Sequence, residues 1–249
     1  MISRHILSLA FLLPMIAHAQ VADVGRIPAG SRSIPPPWQI IVPSQNVPPT
    51  RYQVREWDGV TAFEAKANAS MALLARPLQS DLRQTPVLCW RWRIAAPLTN
   101  ADLSRKSGDD FAARVYVTFL FPDGFLSLGQ RLKLALARRI FGADVPDAAI
   151  NYVWDNRHAI GFEAPNAYTD QARLVVLQSG SERAGSWIEE RRDVLADAQR
   201  LFGTAQMRAI QLAVASDTDN TKETAHAGFA DFHFVARGAP CSHPAPTPN

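Results

Sequence analysis

The chain has 249 residues, a formal net charge of +3, and 47% hydrophobic against 20% charged residues. Its charges of both signs are interspersed, so no basic tract marks a nucleic-acid ligand. The length suits one large β domain or two small ones.

Met1 to Ala19 begins with a basic residue, Arg4, runs apolar from Ile6 to Ile16, and ends Ala17-His18-Ala19. This is the pattern of a secretory signal peptide, too short to span a bilayer as a helix. No later segment is long and apolar enough to be an integral span. The expectation is an exported protein, in a periplasm. In such an oxidising compartment Cys89 and Cys241 can pair and pin the tail to the domain; two free thiols remain equally open.

Residues 20–37 end in Pro35-Pro36-Pro37 and read as an extended leader. A single domain is expected over 38–236, followed by a Pro-rich tail over 237–249. Trp38 to Val42 opens the strands. Arg51–Trp57 and Val60–Ala67 form a hairpin, because Asp58-Gly59 tolerates the positive φ of a tight turn. Ser70 to Leu78 continues the meander. In Val87–Ile94, Leu88, Trp90, Trp92 and Ile94 share one face, while Cys89, Arg91 and Arg93 share the other.

Asp109-Asp110 precedes a long strand, Phe111 to Phe121. Alternation puts Phe111, Ala113, Val115, Val117 and Phe119 on an apolar face, and Arg114, Tyr116 and Thr118 opposite. If the two long strands are neighbours, Arg91, Arg93, Arg114 and Tyr116 line one groove. Alternation also keeps Asp109 and Asp110 out of a shared site unless a bulge intervenes.

From Leu128 to Phe141 the period changes. Leu128, Leu132, Leu136 and Ile140 step by four, which predicts a helix ended by Gly142. With Arg131, Lys133, Arg138 and Arg139 it is basic. It can pack on the sandwich edge or rest on a membrane surface. Strands follow at Ile150–Trp154, Ala172–Gln178 and Trp187–Val194, and a short helix capped at Asp197 is stopped by Gly203.

Met207–Ser216 and Ala225–Val235 alternate again, with Ile210, Leu212 and Val214 on one face and Ala230, Phe232 and Phe234 on another. Between them Asp217, Asp219 and Asn220 present hard oxygen donors. With Asp231 they could hold a structural calcium ion; an Asx-rich turn is the competing reading. No spacing suggests zinc, and there is no serine-nucleophile elbow or phosphate loop.

Several stretches together resemble the bacterial domain of unknown function 3047 family of exported proteins: Cys89-Trp-Arg-Trp-Arg93, Gly108 to Phe119, Asn151-Tyr-Val-Trp154, Gly185 to Arg191, Phe202-Gly203, and Asp217 to Thr221 before Asp231-Phe-His-Phe234. The likeness runs from about Pro35 to Val235 and implies no activity and no catalytic residues. The layout is also similar to jelly-roll carbohydrate-binding modules. The fold class expected is all-β: an antiparallel β-sandwich of jelly-roll, galactose-binding or concanavalin-like type, with one or two short inserted helices. The function expected is noncatalytic binding of a saccharide or cell-envelope glycan through Arg114 and Tyr116, then Arg91 and Arg93, since the planar arginine fork suits acidic sugars. The rivals are a polysaccharide lyase or glycoside hydrolase on the same scaffold, with Tyr116 or a histidine as a lyase base, and an envelope scaffold docked through the basic helix.

Overall fold

The computed structural model describes residues 21–141 and 145–244. The segment expected to be a signal peptide, Gly142 and the last five residues of the tail lie outside the described residues. Thirteen strands and two α-helices are described, in the order β1 (Val21–Gly25), β2 (Gln39–Ile41), β3 (Arg51–Trp57), β4 (Val60–Asn68), β5 (Leu73–Pro77), β6 (Val87–Ile94), β7 (Phe111–Leu120), α1 (Leu128–Phe141), β8 (Ala148–Asp155), β9 (Glu163–Asn166), β10 (Thr169–Ser179), β11 (Ile188–Asp193), α2 (Val194–Phe202), β12 (Arg208–Asp217) and β13 (Thr224–Val235). Among the described residues no helix is long and apolar enough to cross a membrane.

The strands form two sheets. One has the order β11-β6-β13-β4-β3, with β1 also paired to β13; the other runs β2-β5-β12-β7-β8-β10-β9. Neighbours are antiparallel except β8 and β10, which run parallel because β9 intervenes and folds back on β10. The expected all-β sandwich with two short helices is what forms. The expected leader is not simply extended, since Val21–Gly25 pairs with Val235–Phe232 at the far end of the chain.

The core lies between the sheets, where apolar faces of period two meet. Leu88, Trp90, Trp92 and Ile94 of β6 face Val115, Val117 and Phe119 of β7 and Ile150, Tyr152 and Trp154 of β8. Aromatic rings lock the layers together: Trp90 packs on Tyr152 at 5.6 Å and Trp92 on Trp154 at 5.8 Å between centroids. The β3–β4 hairpin turns at Asp58 and Gly59, both with positive φ (51° and 73°), as its sequence predicts.

Simple alternation fails at three bulges. Between Ala209 and Gln211 the register of β12 against β7 shifts, so Ala209 joins Leu212 and Val214 in the core in place of Ile210, which is only half-buried. Between Ala215 and Asp217 the register shifts again. Phe111 therefore leaves the main core and packs outside the sheet with Leu103, Val153, Leu174 and Val176, while Ala112 joins the main core instead. In β13, Asp231 sits at φ 60° and the register shifts between Ala230 and His233. Phe229 rather than Ala230 thus joins Phe232 and Phe234 inside, and Ala230 packs outward with Val60 and Ala62.

Helix α2 is capped one turn earlier than Asp197: the Asp193 carboxylate accepts the Ala196 N–H at 2.9 Å, and Gly203 ends the helix at φ 78°. Asp197 instead is buried and binds the Tyr152 hydroxyl at 2.7 Å and Arg192 at 2.7 Å. Cys89 and Cys241 are joined in a disulfide across 152 positions of sequence, which ties the tail to the outer face of β6.

Candidate functional site

Burying Val115 and Val117 inward turns Arg114 and Tyr116 onto the outer face of the seven-stranded sheet. Their cross-strand partners on β12 are Ala215 and Ala213, whose methyl side chains leave space above the sheet. On β8 the same logic turns Asn151, the register partner of Tyr116, outward between core residues Ile150 and Tyr152. A cleft of about 480 Å³ opens over this floor. Its walls are Pro43 to Val47 beyond β2, Asn166 and Tyr168 at the β9–β10 turn, and Asp217, Asp219 and Asn220 from the β12–β13 connection. A second hollow of about 680 Å³ shares Ala149, Tyr168 and Ala172 with it and continues towards Lys133 and Leu134 of α1. Tyr168, 56% exposed, thus stands between two contiguous hollows.

The floor is strongly charged. Arg114, buried, donates to Asp217 at 2.7 Å and lies 3.7 Å from Asp109. Its guanidinium stacks over Phe111 at 4.5 Å and near Tyr116 at 4.9 Å. Burial alone would lower its pKa, but the charges of Asp217, Tyr116 and Asp109 raise it, so Arg114 stays a cation. Burial pushes the Asp217 carboxyl up to about 7, opposed by Arg114 and reinforced by Asp109 and Asp110. Burial and Asp110 likewise raise Asp219. Asp110 holds the β12–β13 connection in place, accepting the Asn220 side-chain amide at 3.0 Å and the Thr221 N–H at 2.6 Å. One carboxylate oxygen from each of Asp110, Asp217 and Asp219 lies within 4.8 Å of the other two.

Among the described residues, several buried atoms here have no hydrogen-bond partner: Asp217 Oδ1, Asp109 Oδ1, Arg114 Nε and both side-chain atoms of Asn151. A buried amide left unbonded on both sides costs on the order of 1–3 kcal/mol, so Asn151 is poised for a ligand or solvent group in the cleft. Another cavity, about 530 Å³, lies between Leu78–Arg83 and Ala205–Ala209. It carries no such cluster; its charges, such as Asp81 with Arg83, pair at the surface.

Of the residues singled out from sequence, Arg114, Tyr116, Asp217, Asp219 and Asn220 come together in this cleft. Arg91, Arg93 and Asp231 do not, because β6 and β13 belong to the other sheet. Arg91 bonds Asp231 at 2.5 Å on that sheet's outer face, so Asp231 is not near Asp217. Arg93 binds Asp58 and the Gly185 carbonyl and lies over Trp57 at 4.1 Å. Arg114 gives Asp217 one nitrogen of its fork, Nη1, while its Nε has no partner. Asp109 and Asp110 both reach the site, as the bulge beside Phe111 allows. Alternation alone missed Asn151, although a lone polar residue among Ile150, Tyr152 and Trp154 is a visible signal. Tyr168, in a stretch that reads as irregular, left no such trace.

The outer face of the six-stranded sheet holds a separate charged cluster. Glu64, 1% exposed at its side chain, receives Arg55 at 2.6 Å, Lys66 at 3.3 Å and His226 at 2.8 Å. Burial would raise its pKa, but bonds from Arg55, His226, Gln53 and Lys66 outweigh it and hold the carboxyl at about 2. A depressed pKa contributes stability above the unfolded value and loses it as pH falls through the folded one. Glu64→Gln is expected to cost about 2–3 kcal/mol at pH 7. That deficit should shrink as pH drops from about 4.5 towards 2, as read by urea unfolding across pH. A deficit independent of pH would contradict it.

No curated protein matches the chain. Among solved structures, endoglucanase 3 of Trichoderma harzianum, from family GH12, is similar at 8% identity and a TM-score of 0.38, over 90% of this chain and 99% of that one. The family model described as "Protein of unknown function (DUF3047)" matches residues 36–233. With its two-sheet domain lying almost wholly inside that match, the chain belongs to the DUF3047 family.

Proposed function

We propose that this protein is an exported, noncatalytic binder of a saccharide, such as a cell-envelope glycan, held in the cleft on the outer face of the seven-stranded sheet. The observation that carries this reading is Tyr168, an exposed aromatic ring between two contiguous hollows, each large enough for a sugar unit. Its ring offers the stacking surface a pyranose needs, and the unbonded Asn151 amide offers both a donor and an acceptor. Tyr116 lines the floor. The role expected of the arginine fork passes to support, with Arg114 fixing the acidic residues around it. Burial holds the Tyr116 hydroxyl's pKa well above its usual value, so it stays protonated, which favours binding over a lyase. The Cys89–Cys241 bridge supports export to an oxidising compartment. The calcium reading moves with the geometry: Asp110 takes the place of Asp231 beside Asp217 and Asp219, and the free Oδ1 of Asp217 is a donor such an ion would use.

Tyr168→Ala should weaken glycan binding about tenfold, the worth of one stacked ring, measured on a glycan array and then by titration, with calcium and with chelator. Because Tyr168 is exposed, the variant should fold normally. Unaltered binding by the variant would remove the cleft from consideration, and release of shortened glycan would replace binding with catalysis. Asp219→Ala should abolish any calcium dependence; a dependence that survived would place the ion elsewhere.

A further inference from the structure

Helix α1 turns Leu128, Leu132 and Leu136 away from the protein. Packing against the sandwich edge would bury the stripe that steps by four, but the helix is attached by its other side. Leu134 is 4% exposed, and Arg138 bonds the Val145 carbonyl at 3.0 Å and Asp147 at 2.9 Å. Leu128, Leu132 and Leu136 are left 83%, 73% and 59% exposed, and Phe125 just before the helix is 42% exposed. A contiguous apolar stripe facing water marks an interaction surface.

The surrounding charge indicates what covers it. The helix has no acidic residue. At 100° per residue the three leucines span an arc of about 80°, with Arg131 and Lys133 about 60° beyond its two edges. Arg139, also exposed, falls within the arc at the C-terminal end, where its long stem can reach outward from an apolar layer. A leucine stripe bordered by cations on both sides matches an anionic bilayer surface, where leucines enter the acyl boundary and cations meet the headgroups. A second copy docking on the same face would bring like charges together across a two-fold axis.

We infer that α1 is a surface anchor which lays the protein on an anionic lipid bilayer without spanning it. This is separable from the saccharide reading, because Leu128, Leu132 and Leu136 line neither hollow; Lys133 borders both the stripe and the second hollow, so the test below varies leucines alone. The anchor would hold the glycan cleft close to a membrane.

The test is co-sedimentation of the full chain with vesicles of phosphatidylglycerol and phosphatidylcholine, against phosphatidylcholine alone. The expected result is binding to the anionic vesicles, at least tenfold weaker on the neutral ones, and declining with salt. The double variant Leu132→Glu/Leu136→Glu should lose at least tenfold; both leucines are exposed, so it should keep its thermal unfolding midpoint. Any leader segment is common to wild type and variant, so the difference between them reads α1 alone. Equal sedimentation of variant and wild type would overturn the inference. So would a solution dimer that the double variant dissolves without any vesicle binding, or capture of an acidic protein in place of lipid.

Discussion

Arg114→Met is expected to destabilise the protein by about 3–5 kcal/mol at about pH 9, the cost of stranding one partner of a buried ion pair. The loss should be smaller at pH 7, where Asp217, whose carboxyl sits at about 7 even beside Arg114, takes up a proton once the arginine is gone. The reason is the local charge balance. Arg114 donates to Asp217 at 2.7 Å and stands 3.7 Å from Asp109, while Asp110 and Asp219 add further negative charge near Asp217. Both Arg114 and Asp217 are almost fully buried, so water cannot screen what remains after substitution. Methionine fills most of the volume between Phe111 and Tyr116, which separates loss of charge from loss of packing. Adding Asp217→Asn should recover a large part of the loss at about pH 9, where it removes an unpaired buried charge, and little at pH 7, where Asp217 is already protonated without its arginine. Chemical denaturation of the two single variants and the double variant measures the coupling. A loss below about 1 kcal/mol for Arg114→Met at about pH 9 would mean that the carboxylates do not depend on it.

Breaking the disulfide is the second large effect. Cys89 and Cys241 are 152 positions apart, and a closed loop of that length restricts the unfolded chain by up to about 5 kcal/mol in the chain-entropy account. The expected loss for Cys241→Ser is about 2–4 kcal/mol. Cys89→Ser should cost about 1 kcal/mol more, since it puts a hydroxyl among Val87 and Val235 in an apolar cluster. Released, the tail gives up its bonds from Ser242 N–H to His233 at 3.1 Å and from Arg91 to the Pro244 carbonyl at 3.2 Å. Thermal unfolding of the wild type with and without reductant should reproduce the Cys241→Ser shift. If reductant leaves the midpoint unchanged, the tail is held by its other contacts.

Much of the architecture was legible in the sequence because core strands repeat their apolar residues at period two. Val87–Ile94 and the first hairpin strand Arg51–Trp57 have the same bounds in sequence and structure, and the second hairpin strand runs one residue further, to Asn68. Helix α1 was legible in extent but not in attachment, since a leucine stripe alone does not say which side meets the protein. The cleft was half legible. Arg114 and Tyr116 follow from alternation, but their neighbours depend on which strands share a sheet, a long-range property that no local pattern encodes. Arg91 and Arg93 look identical to Arg114 in pattern and lie on the opposite layer. The bulges at Ile210, Asp217 and Asp231 also escaped, because one extra residue in a strand inverts every face beyond it.

Strand β13 lies beside β6 along most of its length, with β4 and then β1 on its other side. The middle of the six-stranded sheet is therefore supplied by residues that leave the ribosome after all the other described strands. Until they arrive, β4 and β6 have open edges, ready to pair with any other extended chain. Fragments ending before Thr224 should aggregate rather than fold, and completion of this sheet is a late event of biogenesis. A holding chaperone that shields those edges until synthesis is complete would matter more for this chain than for one whose sheets close from neighbouring hairpins.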